Sequence, residues 1–92
     1  MALKKKVTIK GYPAEYWKII ELRLDTIRNR TKIVVAVYKD RDTRLADVEN
    51  YLEKYRYRKK ELIYSIEQAY TYLKTLEEYE TATDVFEETE WL

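Results

Sequence analysis

The run Ile33-Val34-Val35-Ala36-Val37-Tyr38 decides the fold class of this 92-residue chain. Its β-branched side chains favour a strand. Its position after an amphipathic segment and a turn signal favours a short buried helix instead, and periodicity alone does not separate the two. We favour the helix and keep the strand as the alternative. A single helix from Pro13 to near Asp40 is a third arrangement that preserves the same apolar stripe.

The segment before this run predicts one short strand. It reads Lys6-Val7-Thr8-Ile9-Lys10, ahead of the only glycine, Gly11, and the only proline, Pro13. Polar and apolar residues alternate with period two, so we expect Val7 and Ile9 on one face and the polar side chains on the other. Because a lone strand is not stable in water, we expect it to pair with the same strand of a second chain.

The segment after Pro13 predicts an amphipathic helix. Proline suits the first turn of a helix, where its missing N–H costs nothing. Apolar residues recur at gaps of three and four, on one face of a helix: Trp17, Ile20, Leu24 and Ile27. The turn Asn29-Arg30-Thr31 is where we expect this helix to end and the next to begin, because Asn tolerates a helix end and Thr can cap a helix start.

A heptad pattern occupies the second half of the chain. Apolar residues from Leu45 to Leu76 are spaced alternately three and four apart, with only Lys59 out of character. This is the a/d register of a coiled coil. A helix from Asp42 to Glu80 would be about 55–60 Å long, so it must pair with another helix. Several of the ten tyrosines flank the seam, as in a bundle core or a partner-binding surface.

Together these patterns predict a mainly α protein. We expect one short N-terminal strand that pairs between chains, a short helix pair, and then a long C-terminal coiled-coil-like helix. The regions are a basic region at 1–40, a long amphipathic helix at 41–80 and an acidic tail at 81–92. Isolated apolar residues in the tail, such as Phe86 and Trp91, predict a frayed end or a short docking segment.

Composition excludes several classes of function. The chain has neither Cys nor His, so disulfides, imidazole bases and conventional zinc sites are excluded. One glycine cannot build a Gly-rich phosphate loop. We therefore expect no enzyme, no catalytic residue, no metal and no cofactor. Without a signal peptide or a membrane-spanning segment, we expect a cytoplasmic protein. Many charges and few Asn, Gln or Cys are typical of thermophile proteins.

Charge is distributed unevenly although the net charge is only +1. The first ten residues carry four lysines and no acid, whereas residues 77–92 carry seven acids and no base. Such asymmetry is typical of a nucleic-acid-facing end and a partner-facing or solvating end. A second basic cluster contains Arg56, Arg58, Lys59 and Lys60. We expect this cluster to be a solvated helix surface, with phosphate contact as the alternative.

The N-terminal forty residues resemble the ribbon-helix-helix family of DNA-binding repressors and antitoxins. The resemblance rests on five pieces: the strand Lys6–Lys10, the pair Tyr12-Pro13, the amphipathic helix Ala14–Arg28, the turn Asn29–Thr31 and the apolar segment Ile33–Tyr38. The C-terminal seam is also similar in composition to the coiled-coil segments of small phage regulatory proteins, which suggests a viral or plasmid source.

The ribbon-helix-helix resemblance implies a set of DNA-binding residues. Two chains would pair their strands into a ribbon in the major groove, with the outward side chains Lys6, Thr8 and Lys10 on base edges. The start of the second helix would hold a phosphate. Its residues would be Arg30, Thr31 and Lys32.

Two functions follow as expectations. The first is a small homodimeric DNA-binding protein that regulates transcription, with a helical extension for dimerisation or partner binding. The second is a helical protein–protein interaction or inhibitor module that does not bind DNA and engages its partner through the tyrosine-rich helix or the acidic tail. The charge gradient favours the first function, whereas the tyrosines and the heptads favour the second.

Overall fold

The structure, a computed structural model, describes residues 2–85 and is built on a five-stranded antiparallel sheet. The strands are β1 (Ala2–Ile9), β2 (Tyr12–Asp25), β3 (Arg30–Tyr38), β4 (Glu53–Lys59) and β5 (Thr83–Val85). The helical elements are α1 (Arg41–Ala46), α2 (Ile66–Leu73) and a 3-10 turn at Glu77–Tyr79. The prediction of a mainly α fold is therefore wrong.

The sheet is a four-stranded meander that is extended at one edge. Each of β1, β2 and β3 pairs with the next strand along the chain, and the order across the sheet is β4-β3-β2-β1-β5. After β4 the chain crosses one face through α2 and returns as β5, which pairs with Ala2–Lys4 at the start of β1. Both mates of β1 thus belong to the same chain, and the predicted pairing between chains is wrong.

The apolar run at residues 33–38 forms most of β3, an inner strand of the meander. Ile33, Val35 and Val37 are fully buried on the face that α2 covers, while Val34 and Ala36 are buried on the opposite face. A strand that is buried on both faces reads as a continuous apolar run rather than an alternating one. The strand alternative for this run is confirmed, and the favoured helix is wrong.

A β-bulge interrupts the period-two alternation of core residues in β2. Trp17 and Ile19 belong to the core, and the register shifts between Ile19 and Glu21, so that Leu22 packs against the same core. One extra residue in a strand changes the gap between core positions from two to three. The stripe predicted for a helix is largely outside the core, because its members are exposed: Ile20 41%, Leu24 39% and Ile27 95%.

The first hairpin turn explains the position of the single glycine. Ile9 pairs with Tyr12, which leaves Lys10 and Gly11 as a two-residue loop with φ of 52° and 85°. Two-residue hairpin loops of this type need positive φ at both positions, which glycine adopts without strain. The chain therefore folds back into β2 at the point where the sequence predicted a helix start.

The predicted coiled coil at 41–80 is also wrong. The region contains two short helices separated by β4, in which Tyr55 and Tyr57 pack against the core. Each helix has its own side-chain cap: Asp40 Oδ1 accepts the Thr43 N–H at 2.8 Å, and Ser65 Oγ accepts the Gln68 N–H at 3.1 Å. The expectation of a helical dimerisation or partner-binding extension loses its structural basis here.

Within residues 2–85, helix α2 covers one face of the sheet and much of the other face has no helix over it. Its buried residues Ala69, Tyr70 and Leu73 pack against the core side of β2 and β3. Tyr70 also accepts the Ile19 backbone N–H at 2.8 Å, beside the bulge where the strand ladder is interrupted. On the opposite face a smaller apolar cluster around Tyr38 lies at the α1 end only. The open face is where the candidate site lies.

Two predictions concern membranes and the C-terminal tail. Helices of six and eight residues are too short to cross a bilayer, and no helix within residues 2–85 qualifies as a membrane span. The predicted acidic tail begins in a described segment, where residues 83–85 form β5. The rest of the tail at 86–92, with the predicted docking residues Phe86 and Trp91, lies outside the described residues.

Candidate nucleic-acid interface

The sheet face opposite α2 is strongly basic across β2, β3 and β4. Residues that pair directly across strands point to the same face, so the observed register assigns each side chain. We call this surface the basic face. Its cations are Lys18, Arg23, Arg30, Lys32, Lys54, Arg56 and Arg58. The only carboxylates at the corresponding positions of these three strands are Glu21 and Asp25.

Three of these cations lie side by side across the three strands. Arg23 of β2 is opposite Lys32 of β3, and Lys32 is opposite Arg58 of β4. Directly opposite residues have Cβ atoms about 4.5–5.5 Å apart, and like charges at such positions destabilise a sheet. We call these three residues the cation row. Folding alone does not favour such a row.

Neighbouring carboxylates neutralise this end of the sheet only in part. Arg23 Nη2 lies 3.4 Å from Glu21 Oε1, and Arg28 Nη1 lies 3.7 Å from Asp25 Oδ2. Both arginines are about 70% exposed, and exposed pairs contribute at most about 1 kcal/mol. The other two members of the cation row have no carboxylate partner within the described part of the chain.

A recess of about 170 Å³ lies at the end of the sheet beside the cation row. Five cations line it together with Asp25 and Thr31: Arg23, Arg28, Arg30, Lys32 and Arg58. The β2–β3 loop supplies Arg28, whose backbone N–H donates to Asp25 Oδ1 at 3.1 Å. The volume of the recess is large enough for a phosphate group, and Arg side chains can bind phosphate through two parallel hydrogen bonds.

The predicted base-contacting residues are not on this surface. Lys6 and Thr8 are exposed on β1, which β2 separates from β3. Lys10 lies in the β1–β2 turn, with Nζ 3.6 Å from Glu53 Oε2. That turn is at the opposite end of β2 from Arg30, which pairs with the last residue of β2. The structure therefore does not bring the two halves of the predicted DNA-binding set together, and the ribbon-helix-helix arrangement is wrong.

The predicted phosphate-binding residues divide between the two faces. Arg30 and Lys32 both belong to the basic face. Thr31 is fully buried; its Oγ1 donates to the Glu61 carbonyl at 2.7 Å and accepts the Ile63 N–H at 2.8 Å. No helix begins at Thr31, because it lies inside β3. Thr31 therefore joins the segment after β4 to the central strand, whereas its two neighbours are available to a ligand.

Sequence analysis did not single out Arg23 and Arg28, and it placed Arg56 and Arg58 on a helix rather than on β4. A signal was present for two of them: Tyr55, Arg56, Tyr57 and Arg58 alternate with period two, as in a strand with aromatic residues inward and cations outward. For Arg23 and Arg28 no local pattern marks a role. Their position depends on the register of β2 after its bulge and on the turn that follows it.

Aromatic residues border the basic face at its α1 end, where they contact nearby cations. The Arg44 guanidinium lies 5.8 Å from the Tyr38 ring centroid, and Lys54 Nζ lies 5.1 Å from the Tyr51 ring centroid. Tyr38 donates to the Val48 carbonyl at 2.6 Å, and burial raises the pKa of its hydroxyl. These contacts anchor α1 on the sheet and limit the open basic surface to the other end.

The remaining tyrosines belong mainly to a cluster on the α2 side. Trp17 stacks on Tyr55 with ring centroids 5.8 Å apart, and Tyr57 and Tyr79 share a hydrogen bond of 2.8 Å between their hydroxyls. Burial raises the pKa of Tyr57 to about 12 and raises the pKa of Tyr79 as well. At neutral pH both hydroxyls are therefore protonated hydrogen-bonding groups. The cluster packs the core rather than presenting an acid–base pair.

Metal ligation and similarity to known proteins add no second candidate site. Within residues 2–85 no three acidic side chains lie close enough together to hold a metal ion. Comparison of the chain with models of protein families, with curated proteins and with solved structures finds no match. The basic face is therefore the feature of the described residues that bears on function.

Proposed function

We propose that this protein is a non-enzymatic nucleic-acid-binding protein that holds the phosphate backbone on its basic face. The observation that carries the proposal is the cation row. Like charges in register across three strands oppose folding, and a bound polyanion offsets that repulsion. Nucleic-acid phosphates are densely spaced negative charges, and their neutralisation by Lys and Arg releases counterions and drives binding.

The shape of the basic face indicates how it would bind. Neighbouring strands are about 4.8 Å apart, so the cation row spans about 10 Å and can contact more than one phosphate. The Lys side chains on this face are long and flexible, and the Arg side chains present a planar fork of N–H donors. Both kinds of side chain suit hydrogen bonding to phosphate oxygens. Phosphate contacts position a protein on nucleic acid but carry no direct sequence information. We therefore propose binding with weak sequence preference, in place of the predicted base readout by a ribbon.

One chain carries the whole basic face, so the proposal does not need a second copy. The predicted homodimer rested on a strand without a mate and on a helix too long for one chain. In residues 2–85 the strand has two mates and the longest helix has eight residues. The homodimer therefore stays a prediction, and neither of the two reasons given for it applies to the described residues.

The test is a salt series of binding to a short fluorescent duplex, measured by anisotropy between about 50 and 200 mM salt. A double variant, Lys32→Gln with Arg58→Gln, removes two charges from the cation row. The matched control, Lys6→Gln with Lys39→Gln, removes two charges from exposed positions outside it. The logarithm of affinity should fall linearly with the logarithm of salt, and the row variant should lower the slope by about two units.

The control separates the basic face from overall charge. It should retain the wild-type slope within about half a unit, because its lysines lie away from the proposed phosphate contacts. Absence of binding to any duplex or single strand at low salt would contradict the proposal. Equal loss in both double variants would also contradict it, because net charge rather than this surface would then determine affinity.

A further inference from the structure

The tip of the β2–β3 hairpin carries an apolar side chain that the described part of the fold leaves uncovered. Ile27 is 95% exposed, more than any other large apolar residue in residues 2–85. Hairpin turns are dominated by Gly, Asn, Asp and Ser, because these residues fit the turn or bond to it. A β-branched apolar residue has no such role there, so neither burial nor turn geometry accounts for Ile27.

The turn that presents Ile27 is well defined. Asp25 and Arg30 form the last pair of the hairpin, and residues 26–29 form the loop between them. The Arg28 N–H donates to Asp25 Oδ1 at 3.1 Å, and Asn29 adopts a positive φ of 53° that closes the loop. These local contacts hold the loop in one shape with Ile27 at the tip.

The hairpin tip extends beyond the rest of the sheet and is bordered by cations. Pairing between β3 and β4 ends at Thr31, whereas β2 and β3 remain paired to Arg30. Arg28 follows Ile27 directly, and the recess with the cation row lies behind the tip. A single apolar group thus projects ahead of a cluster of phosphate-binding side chains.

We propose that Ile27 is a wedge that enters the minor groove of duplex DNA and partly unstacks one base step. This inference rests on the proposed function and names duplex DNA as the ligand of the basic face. The minor groove is about 6 Å wide, which admits one aliphatic side chain but not a sheet. Proteins that insert Ile, Leu or Phe between base steps kink the duplex, and cations on the flanking phosphates hold the bent form.

A duplex fits these observations better than a lipid surface does. Membrane-surface binding depends on a broad apolar area that is buried in the headgroup region. Here the apolar part of the tip is one side chain, because its neighbours Thr26 and Arg28 are polar. The cations lie behind the tip on the basic face, where they can contact backbone phosphates beside the inserted residue.

The test measures unstacking and bending of DNA separately from affinity. The probe is a duplex with 2-aminopurine at a central TA step and a donor–acceptor dye pair on its ends. Wild-type protein should raise the 2-aminopurine fluorescence and increase energy transfer between the ends. Ile27→Ser should abolish both signals, keep the salt slope, and weaken duplex binding about tenfold, since burial of one aliphatic side chain corresponds to roughly that factor.

The matched control is Val48→Ser, which replaces another exposed β-branched residue in a loop far from the tip. It should keep both signals, and thermal melts should show that both variants fold, since Ile27 is 95% exposed and Val48 is half-exposed. Wild-type binding without a 2-aminopurine signal, or an unchanged signal in Ile27→Ser, overturns the wedge and leaves the proposed function standing. Ile27-dependent binding to anionic phosphatidylserine vesicles in place of duplex also overturns it. Failure of wild type to bind any nucleic acid refutes the proposed function itself.

Discussion

Replacing Lys32 by Gln should stabilise the fold while it weakens nucleic-acid binding. Lys32 is the middle member of the cation row and is opposite Arg23 on one side and Arg58 on the other. Glutamine keeps much of the side chain but removes the charge, so the substitution relieves two repulsive contacts at once. Most substitutions in a central strand destabilise it, so an increase in stability would be informative.

The magnitude follows from two pairs of like charges that are exposed to water on one side. At a charge separation of about 8 Å and the dielectric constant of water, each pair costs about 0.5 kcal/mol, so the two cost about 1 kcal/mol. For a domain of this size, a gain of about 1 kcal/mol raises the melting temperature by about 4–8 °C. The gain should disappear near 1 M salt, where the screening length is only about 3 Å.

The assay is urea denaturation of wild type, Lys32→Gln and the control Lys39→Gln at low and high salt. Lys39 directly follows β3 and is exposed at the end of the strand away from the cation row, so the control makes the same change in net charge. Only Lys32→Gln should gain stability at low salt, and its salt slope in duplex binding should fall by about one unit. A loss of stability, or an equal gain in the control, would refute the reasoning.

Three further predictions concern the contacts that hold the open face in place. Tyr70→Phe should lower the free energy of unfolding by about 1–3 kcal/mol in urea titrations, because the Ile19 N–H loses its buried acceptor; no change would show that water replaces the hydroxyl. Thr31→Val should cost about 1–3 kcal/mol by leaving the Ile63 N–H unpaired, whereas Thr31→Ser should retain most of the stability. The hydrogen bond from the Thr43 N–H holds the pKa of Asp40 below its ordinary value of 3.8. Its contribution to stability is therefore present above that pH and lost as pH falls below it, and an NMR-detected carboxyl titration with a midpoint at or above 3.8 would contradict this.

Local patterns predicted parts of this fold and misled in others for identifiable reasons. Alternation at residues 6–10 located β1, and the β-branched run allowed β3 as an alternative. The apolar stripe between Trp17 and Ile27 suggested a helix, but its members do not share one face: Ile20 is at the bulge and the exposed Ile27 is in the loop after β2. The heptad spacing wrongly predicted one long helix, because strand β4 separates two short capped helices in that region. The spacing of apolar residues does not show which strand a segment will pair with.

The candidate site was predictable only in its local parts. Arg30 and Lys32 were expected to contact phosphate, and both do lie on the basic face, although on a strand rather than at a helix start. Which residues stand beside them depends on strand register, which joins Arg23 and Arg58 to Lys32 from segments far apart in sequence. Strand register is fixed by the burial of apolar side chains across the whole sheet, so no short sequence motif predicts it.

The bulge in β2 gives the basic face one position at which a change in chain length is tolerated. Before it, odd-numbered residues such as Trp17 and Ile19 face the core, and after it, even-numbered residues such as Leu22 do so. Ile20 is the extra residue, so deletion of its codon would restore strict alternation and leave Arg23 on the outward face, still opposite Lys32. A single-codon deletion or insertion at this position therefore changes the length of β2 without moving any member of the cation row.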